Sequence, residues 1–271
     1  MSERIAFIGG GNMASAIIGG LISQGHAPSQ IEVVEPFAQT RDKLKASYGV
    51  SAQAAAGAFL EQAAMVIWAV KPQTFREAAL PVRAHTQKAL HLSVAAGIRS
   101  DSIVNWLGTQ RVVRAMPNTP ALIGKGISAL FARPVVTATE KQLVTQVMAS
   151  TGELLWLDLE EKLDAVTALS GSGPAYAFYF MEAMTTAGAE MGLTREQAQQ
   201  LAVSTFIGAG ELVRSSGESP KVLRQRVTSK GGTTDAAICS MEDDDLQAVF
   251  INALYAARRR AQELGDEFGK A

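Results

Sequence analysis

Near the end of the chain, Ser229-Lys230-Gly231-Gly232-Thr233-Thr234 sets two adjacent glycines between hydroxyl side chains, just ahead of the helix-prone Asp235-Ala236-Ala237-Ile238. A glycine pair that opens a helix offers unpaired backbone N–H groups at the positive end of the helix dipole. Such a loop receives a small anion, a carboxylate or a phosphate, with no basic side chain required. A plain glycine turn with a threonine N-cap would use the same residues, so the rest of the chain has to decide.

A second constellation lies at the other end. The apolar run Ile5-Ala6-Phe7-Ile8 empties into Gly9-Gly10-Gly11-Asn12-Met13-Ala14 and then a helical stretch. This is G-x-G-x-x-A between a strand and a helix. Gly9 permits the tight turn, Gly11 lets a pyrophosphate approach the backbone, and Ala14 keeps helix and strand close. Ile8, Gly10, Asn12 and Met13 complete that binding turn. Glu35, at the tip of the next apolar run, stands where an acid takes the ribose hydroxyls of NAD, while Gln39, Thr40 and Arg41 follow within reach of a 2′-phosphate. Ala69, Val70, Lys71 and Pro72 end a further strand on the same side of the sheet, and Met116-Pro117-Asn118-Thr119-Pro120 is an extended loop that aims Asn118 at the same crevice.

The elements that position these groups follow from periodicity. Residues 31–35, 50–52, 65–70, 90–94 and 111–115 read as strands, and residues 65–70 are continuously apolar, as in a parallel sheet covered on both faces. The alanine-rich run up to Gln62 reads as helix. Residues 127–131 and 153–157, with a helix from about Thr139 to Met148 between them, complete an edge of the sheet, and residues 158–162 form a polar exit. Beyond Leu163 the pattern is helical, broken at Ser170-Gly171-Ser172-Gly173-Pro174 and stopped at Gly192. Thr194-Arg195-Glu196-Gln197 is a capping-box start, Ser219-Pro220 caps a short helix, and a last helix spans about Leu246 to Leu264. The expected fold is α/β: a Rossmann-type doubly wound dinucleotide-binding domain over residues 1–159, then an all-α dimerisation domain over residues 160–271.

Composition narrows the function classes. A formal net charge of −1 gives no attraction to nucleic acid or to an anionic membrane surface. Cys239 is the only cysteine, which points to a reducing compartment, the cytoplasm. His26, His85 and His91 lack metal-ligand spacing, so no metal is expected and all three read as structural or surface residues. Apolar faces on nearly every helix of the second half exceed what one small bundle buries, which implies pairing with a second copy.

Taken together, Gly9-Gly10-Gly11-Asn12-Met13, Val70-Lys71-Pro72, Met116-Pro117-Asn118-Thr119-Pro120, Ser170-Gly171-Ser172-Gly173-Pro174-Ala175-Tyr176 and Val227-Thr228-Ser229 through Gly231-Gly232-Thr233-Thr234 resemble the pyrroline-5-carboxylate reductases. The likeness runs in order from about Ile5 to Leu264. It implies an oxidoreductase of proline biosynthesis that transfers hydride from NADPH or NADH to L-1-pyrroline-5-carboxylate, with the active site completed across a homodimer interface. It also implies that Gly231, Gly232 and Thr233 hold the substrate carboxylate by backbone amides, that Thr234 places its hydroxyl on the ring nitrogen, and that Ser229 belongs to the same substrate-binding loop. Lys230 departs from the proline of many members, which should either loosen the loop or add a positive charge beside that carboxylate. Two other readings share the fold. A β-hydroxyacid dehydrogenase would need a lysine between residues 165 and 191, where none occurs, and a nonenzymatic nicotinamide sensor would have no use for the carboxylate loop.

Overall fold

The four residues Ile5–Ile8 (β1) are nearly or wholly buried, and their side chains alternate between two cores. Ile5 and Phe7 pack with Ile17, Leu21 and Leu44 on one face, whereas Ala6 and Ile8 pack with Trp68, Phe75 and Ile103 on the other. A strand without a polar side chain has no face to offer solvent, so helices must cover both sides. The computed structural model, which describes residues 3–269, shows that arrangement.

Eight strands among the described residues form one sheet: β1, β2 (Ile31–Val34), β3 (Ala52–Gln53), β4 (Met65–Trp68), β5 (Leu90–Ser93), β6 (Val112–Met116), β7 (Gly126–Ala132) and β8 (Gly152–Leu157), in the order β3-β2-β1-β4-β5-β6-β7-β8. Pairing is parallel except between β6 and β7. Strand order reverses direction between β1 and β4, which opens a crevice beyond their carboxyl ends. Helices α1 (Asn12–Ser23), α2 (Ala38–Tyr48), α3 (Phe75–Arg83), α4 (Ser100–Leu107) and α5 (Ala138–Met148) connect the strands.

The alanine-rich run after β3 departs from the expected helix. It forms bends and then a short 3₁₀ turn at Ala58–Gln62, in which Leu60 is the buried residue. Alanine favours helix only weakly, and with Gly57 extended and no apolar stripe to bury, propensity does not prevail. The interruption expected at residues 170–174 is also absent as a loop. After α6 (Lys162–Val166) the chain makes one π-helical turn at Thr167–Gly171 and continues almost directly into α7 (Gly173–Glu190). A Cβ at Gly171 would crowd only the terminal methyl of Met116, the movable end of a flexible side chain.

Glu160, in the polar exit, caps α4 from a distance in sequence. Its carboxylate accepts the Ser100 N–H (2.6 Å) and the Ser100 hydroxyl, and pairs with buried Arg114 at 2.7 Å. The first N–H groups of a helix need such acceptors, and Arg99 at the N-cap provides none.

The chain divides into two compact units, one comprising residues 1–172 and 257–271 and the other residues 173–256. In the second unit, α7 turns back through Gly192 (φ +101°) into α8 (Arg195–Ser216). Thr194 accepts the Gln197 N–H at 3.2 Å while Gln197 accepts the Thr194 N–H at 2.9 Å, the reciprocal box expected there. Gly188 allows the two helices to close on Ala198, whose Cβ would lie 2.8 Å from a Cβ at Gly188. Then come α9 (Pro220–Arg226), α10 (Thr233–Asp243) and α11 (Leu246–Gly269). Tyr176 and Phe180 each meet Phe250 edge-on at 5.7 Å. Large apolar side chains remain exposed in this unit, among them Phe178, Tyr179, Met191 and Ile207. The far end of α11 belongs to the first unit. Leu264 Cβ lies 3.2 Å from where a Gly97 Cβ would be, Phe268 packs on the α3–α4 face, and Asp266 pairs with Arg99 at 2.7 Å.

Candidate active site

The three glycines after β1 sit in three different surroundings. Gly9 has φ +93°, its N–H donates to Val34 O at 2.8 Å, and a Cβ would sit 2.6 Å from Ala69 O. Only glycine fits between the tips of β1 and β4. Gly10 is buried, with a Cβ position 2.7 Å from Leu44 Cδ1. Gly11 differs: it is exposed, it has φ −68°, and nothing lies within 4 Å of its Cβ position. The protein itself imposes no glycine there. The open space lies at the amino end of α1, whose first turn carries no acid, and it fits a pyrophosphate approaching the backbone. Ala14 is fully buried beneath the turn, and Ile8 is nearly so. Asn12, which is exposed, and Met13, half-buried against the core, open the first helical turn.

Glu35 lies at the tip of β2 but faces inward. It is 5% exposed; Oε2 accepts the Gly10 N–H at 2.8 Å and Oε1 accepts the Phe37 N–H at 2.9 Å. Both oxygens therefore hold backbone, and the glycine turn is tied to the second strand. Arg41, one turn into α2, donates from Nη1 to the carbonyls of Glu35 (2.9 Å) and Pro36 (2.7 Å), which fixes a guanidinium beside that strand end.

Ala69 donates to Ile8 O at 2.9 Å, and Val70 Cγ1 would lie 3.1 Å from a Gly9 Cβ, so the tip of β4 is joined to the glycine turn. Lys71 is exposed and Pro72 starts the short turn that leads into α3. Asn118 accepts the Ile127 N–H on Oδ1 at 3.0 Å, pinning its own loop to the start of β7. Its amide N–H₂ is left to donate elsewhere. The structure thus gathers residues 8–13, 69–72 and the β2 tip around one crevice. It adds a segment that the motifs did not flag, Ser93-Val94-Ala95-Ala96-Gly97 after β5, where Ser93 Oγ accepts the Ala95 N–H at 3.3 Å and Gly97 has φ +72°. A strand ending in small residues before a glycine was the available signal.

In the second unit, the loop between α9 and α10 carries the other candidates. Gly231 has φ +76°, and Gly232 is the N-cap of α10, so no threonine caps that helix. The Gly232 N–H donates to Ser229 O at 2.9 Å, and the Gly231 N–H donates to Asp235 Oδ2 at 2.8 Å. The helical ladder begins with Ala236 N–H donating to Gly232 O. Thr233 and Thr234 therefore present N–H groups outside the ladder at the positive end of α10, with the half-buried Thr234 hydroxyl in the same turn. Ser229 and Lys230 are exposed.

The buried acid beside the glycine turn, Glu35, has both oxygens taken by backbone N–H groups. The strongest perturbation falls on His91, which burial lowers to about 4. Trp68 Nε1–H donates to His91 Nδ1 at 3.0 Å, so the ring proton sits on Nε2, facing Thr86 O. This neutral imidazole is a core residue. Among the described residues no group of three histidine, cysteine or acidic side chains could hold a metal ion.

Comparison with known proteins agrees with this geometry. Residues 160–264 match the family described as pyrroline-5-carboxylate reductase dimerisation, and residues 4–97 match the NADP oxidoreductase, coenzyme F420-dependent family. A Pseudomonas aeruginosa pyrroline-5-carboxylate reductase is 44% identical over 99% of both chains. The solved structure of a Coxiella burnetii pyrroline-5-carboxylate reductase is similar with a TM-score of 0.90 at 38% identity, covering 97% of this chain and 99% of that one. A Plasmodium falciparum pyrroline carboxylate reductase, solved with NADP bound, gives a TM-score of 0.88 at 25% identity, over 97% and 98% of the two chains.

Proposed function

Because the chain belongs to the pyrroline-5-carboxylate reductase family, we propose that the residues gathered above divide one reduction between two tasks: holding the hydride donor and holding the ring. The reaction converts L-1-pyrroline-5-carboxylate to L-proline, the last step of proline biosynthesis, with NAD(P)H as cofactor. A full-length likeness to reductases of one named activity carries the assignment of the reaction.

We assign dinucleotide binding to residues 1–159 and substrate binding with dimerisation to residues 160–271. Gly11, Asn12 and Met13 hold the pyrophosphate at the amino end of α1. Ala69, Val70, Lys71, Pro72 and the Asn118 amide line the remainder of the cofactor, and the bound nicotinamide supplies the hydride. Glu35 acts on the glycine turn, and we assign any contact with a 2′-phosphate to Arg41, whose guanidinium is fixed beside the end of β2. An imine that enters as the iminium already carries its nitrogen proton, so no strong acid is needed. The chain's work is then orientation. A carboxylate at the start of α10 anchors one end of the ring, and the Thr234 hydroxyl, able to accept from or donate to the ring nitrogen, fixes the other. The supporting observation is that Thr233 and Thr234 keep N–H groups outside the ladder in the same turn as that hydroxyl.

The enzyme is a homo-oligomer, which we propose is built on a dimer through the apolar surface of α7 to α11. We place it in the cytoplasm on its single cysteine, and among the described residues no helix is long and apolar enough to cross a membrane. Neither nucleic acid nor membrane is proposed as a partner. Thr234→Ala tests the substrate assignment through NADPH consumption. Loss of one hydrogen bond to a charged ring should lower kcat/KM for pyrroline-5-carboxylate about 10- to 100-fold, with Thr234→Ser restoring most of it. An alanine variant with unchanged kcat and KM would remove Thr234 from the site.

A further inference from the structure

We infer that Asp235 is a positioning residue of the substrate loop, which withdraws the Gly231 N–H from the anion cradle and leaves the substrate carboxylate to the N–H groups of Thr233 and Thr234. The inference rests on the reading of this loop as the carboxylate site.

Gly231 is in the left-handed region (φ +76°), yet nothing lies within 4 Å of its Cβ position, so packing does not hold it there. Two hydrogen bonds do. Gly232 N–H donates to Ser229 O at 2.9 Å, and Gly231 N–H donates to Asp235 Oδ2 at 2.8 Å. Asp235 is the third residue of α10 and reaches back past the N-cap, as the acid of a capping box does. Here the N-cap is Gly232, without a hydroxyl to return the bond, so the aspartate is the side chain that closes the loop onto the helix.

Two consequences follow. The Gly231 amide is paired before any ligand arrives, and the cradle contracts to the first two amides of α10, which share a turn with the Thr234 hydroxyl. A negative charge also stands in the first turn, beside the place where a second carboxylate must bind. The side chain's acceptor oxygen organises the loop, while its charge opposes the substrate.

Steady-state kinetics of Asp235→Ala and Asp235→Asn separate the two effects, with pyrroline-5-carboxylate compared against 1-pyrroline, which has the same ring without the carboxylate. Asp235→Ala should raise KM for pyrroline-5-carboxylate about tenfold, the scale of one charge-assisted bond, with kcat and the NADPH KM within about twofold. Asp235→Asn keeps an acceptor oxygen and loses the charge, so its KM should equal or fall below that of the parent. Neither substitution should change kcat/KM for 1-pyrroline, which a general loss of structure would lower. An unchanged KM in Asp235→Ala, an asparagine variant as impaired as alanine, or an equal loss on 1-pyrroline would each overturn the inference. The underlying reading fails separately: in the parent enzyme, it requires 1-pyrroline to be much the poorer substrate.

Discussion

Replacing Glu35 with alanine distinguishes a ribose ligand from a brace for the glycine turn. The carboxylate accepts two backbone N–H groups, one from buried Gly10 at 2.8 Å and one from Phe37 at 2.9 Å. A hydrogen bond to a charged group contributes about 1.5–3 kcal/mol. The Gly10 bond should count near the top of that range because water cannot replace it, whereas the N–H of exposed Phe37 recovers part of its loss from solvent. Relief of the carboxylate's own burial offsets some of the sum, leaving a destabilisation of roughly 2–4 kcal/mol. For a chain of this size each kcal/mol lowers Tm by about 2–4 °C, so scanning calorimetry should show a fall of roughly 5–15 °C. Glutamine is not a rescue, since it presents an N–H₂ to one of the two donors. The kinetic signature is as specific as the thermal one. A loosened turn weakens the grip on the pyrophosphate common to both cofactors, so KM should rise for NADPH and NADH together, and the ratio of their kcat/KM values should move by less than about twofold. An unchanged Tm combined with a selective loss of NADH activity would show that Glu35 binds ribose and would refute this reasoning.

The glycine turn offers a paired test. Gly9→Ala puts a Cβ 2.6 Å from Ala69 O at φ +93° and should abolish soluble expression or lower Tm sharply, whereas Gly11→Val enters open space and should keep the parent Tm while raising the cofactor KM about 100-fold or more. The reverse pattern would mean that the pyrophosphate lies elsewhere. Burial lowers His91 from 6.5 to about 4, so the unfolded chain binds a proton before the folded one does. Its stabilising contribution is full above pH ~6.5 and is lost as pH falls toward ~4, amounting to about 2 kcal/mol by pH 5. Urea unfolding near pH 7.5 and pH 5 should show that loss in the parent and a smaller one in His91→Gln, which can still accept from Trp68 and donate to Thr86 O; equal slopes would remove His91 as the cause.

The sheet was legible because its strands carry their own boundaries. Met65–Trp68 is apolar at every position, and Ile5–Ile8 ends at glycines. The alanine-rich segment after β3 was misleading because alanine suits a helix but supplies no face for one to bury. At residues 170–174 the glycines looked like a break. Gly171 faces the tip of Met116, and only the fold brings those two residues together. The site divides in the same way. The glycine turn and the loop at Gly231-Gly232 are local, so their residues announce them. The direction in which Glu35 points is not local: an acid at the tip of β2 reads the same whether it faces ribose or Gly10. Asp235 was readable in principle, as an acid three residues after a glycine N-cap, but its partner could be named only once Gly231 was placed.

The last turns of α11 bear on where this protein can be cut. Since Leu264 and Phe268 lie against the first unit, the helical stretch between residues 173 and 256 is an insertion in the folding of that unit and not an appendage to it. A fragment ended at Ser172 would keep the glycine turn and the β4 tip and still lack Leu264 and Phe268, which lie against Gly97. The compact unit that carries the glycine turn is therefore discontinuous in sequence, made of residues 1–172 and 257–271.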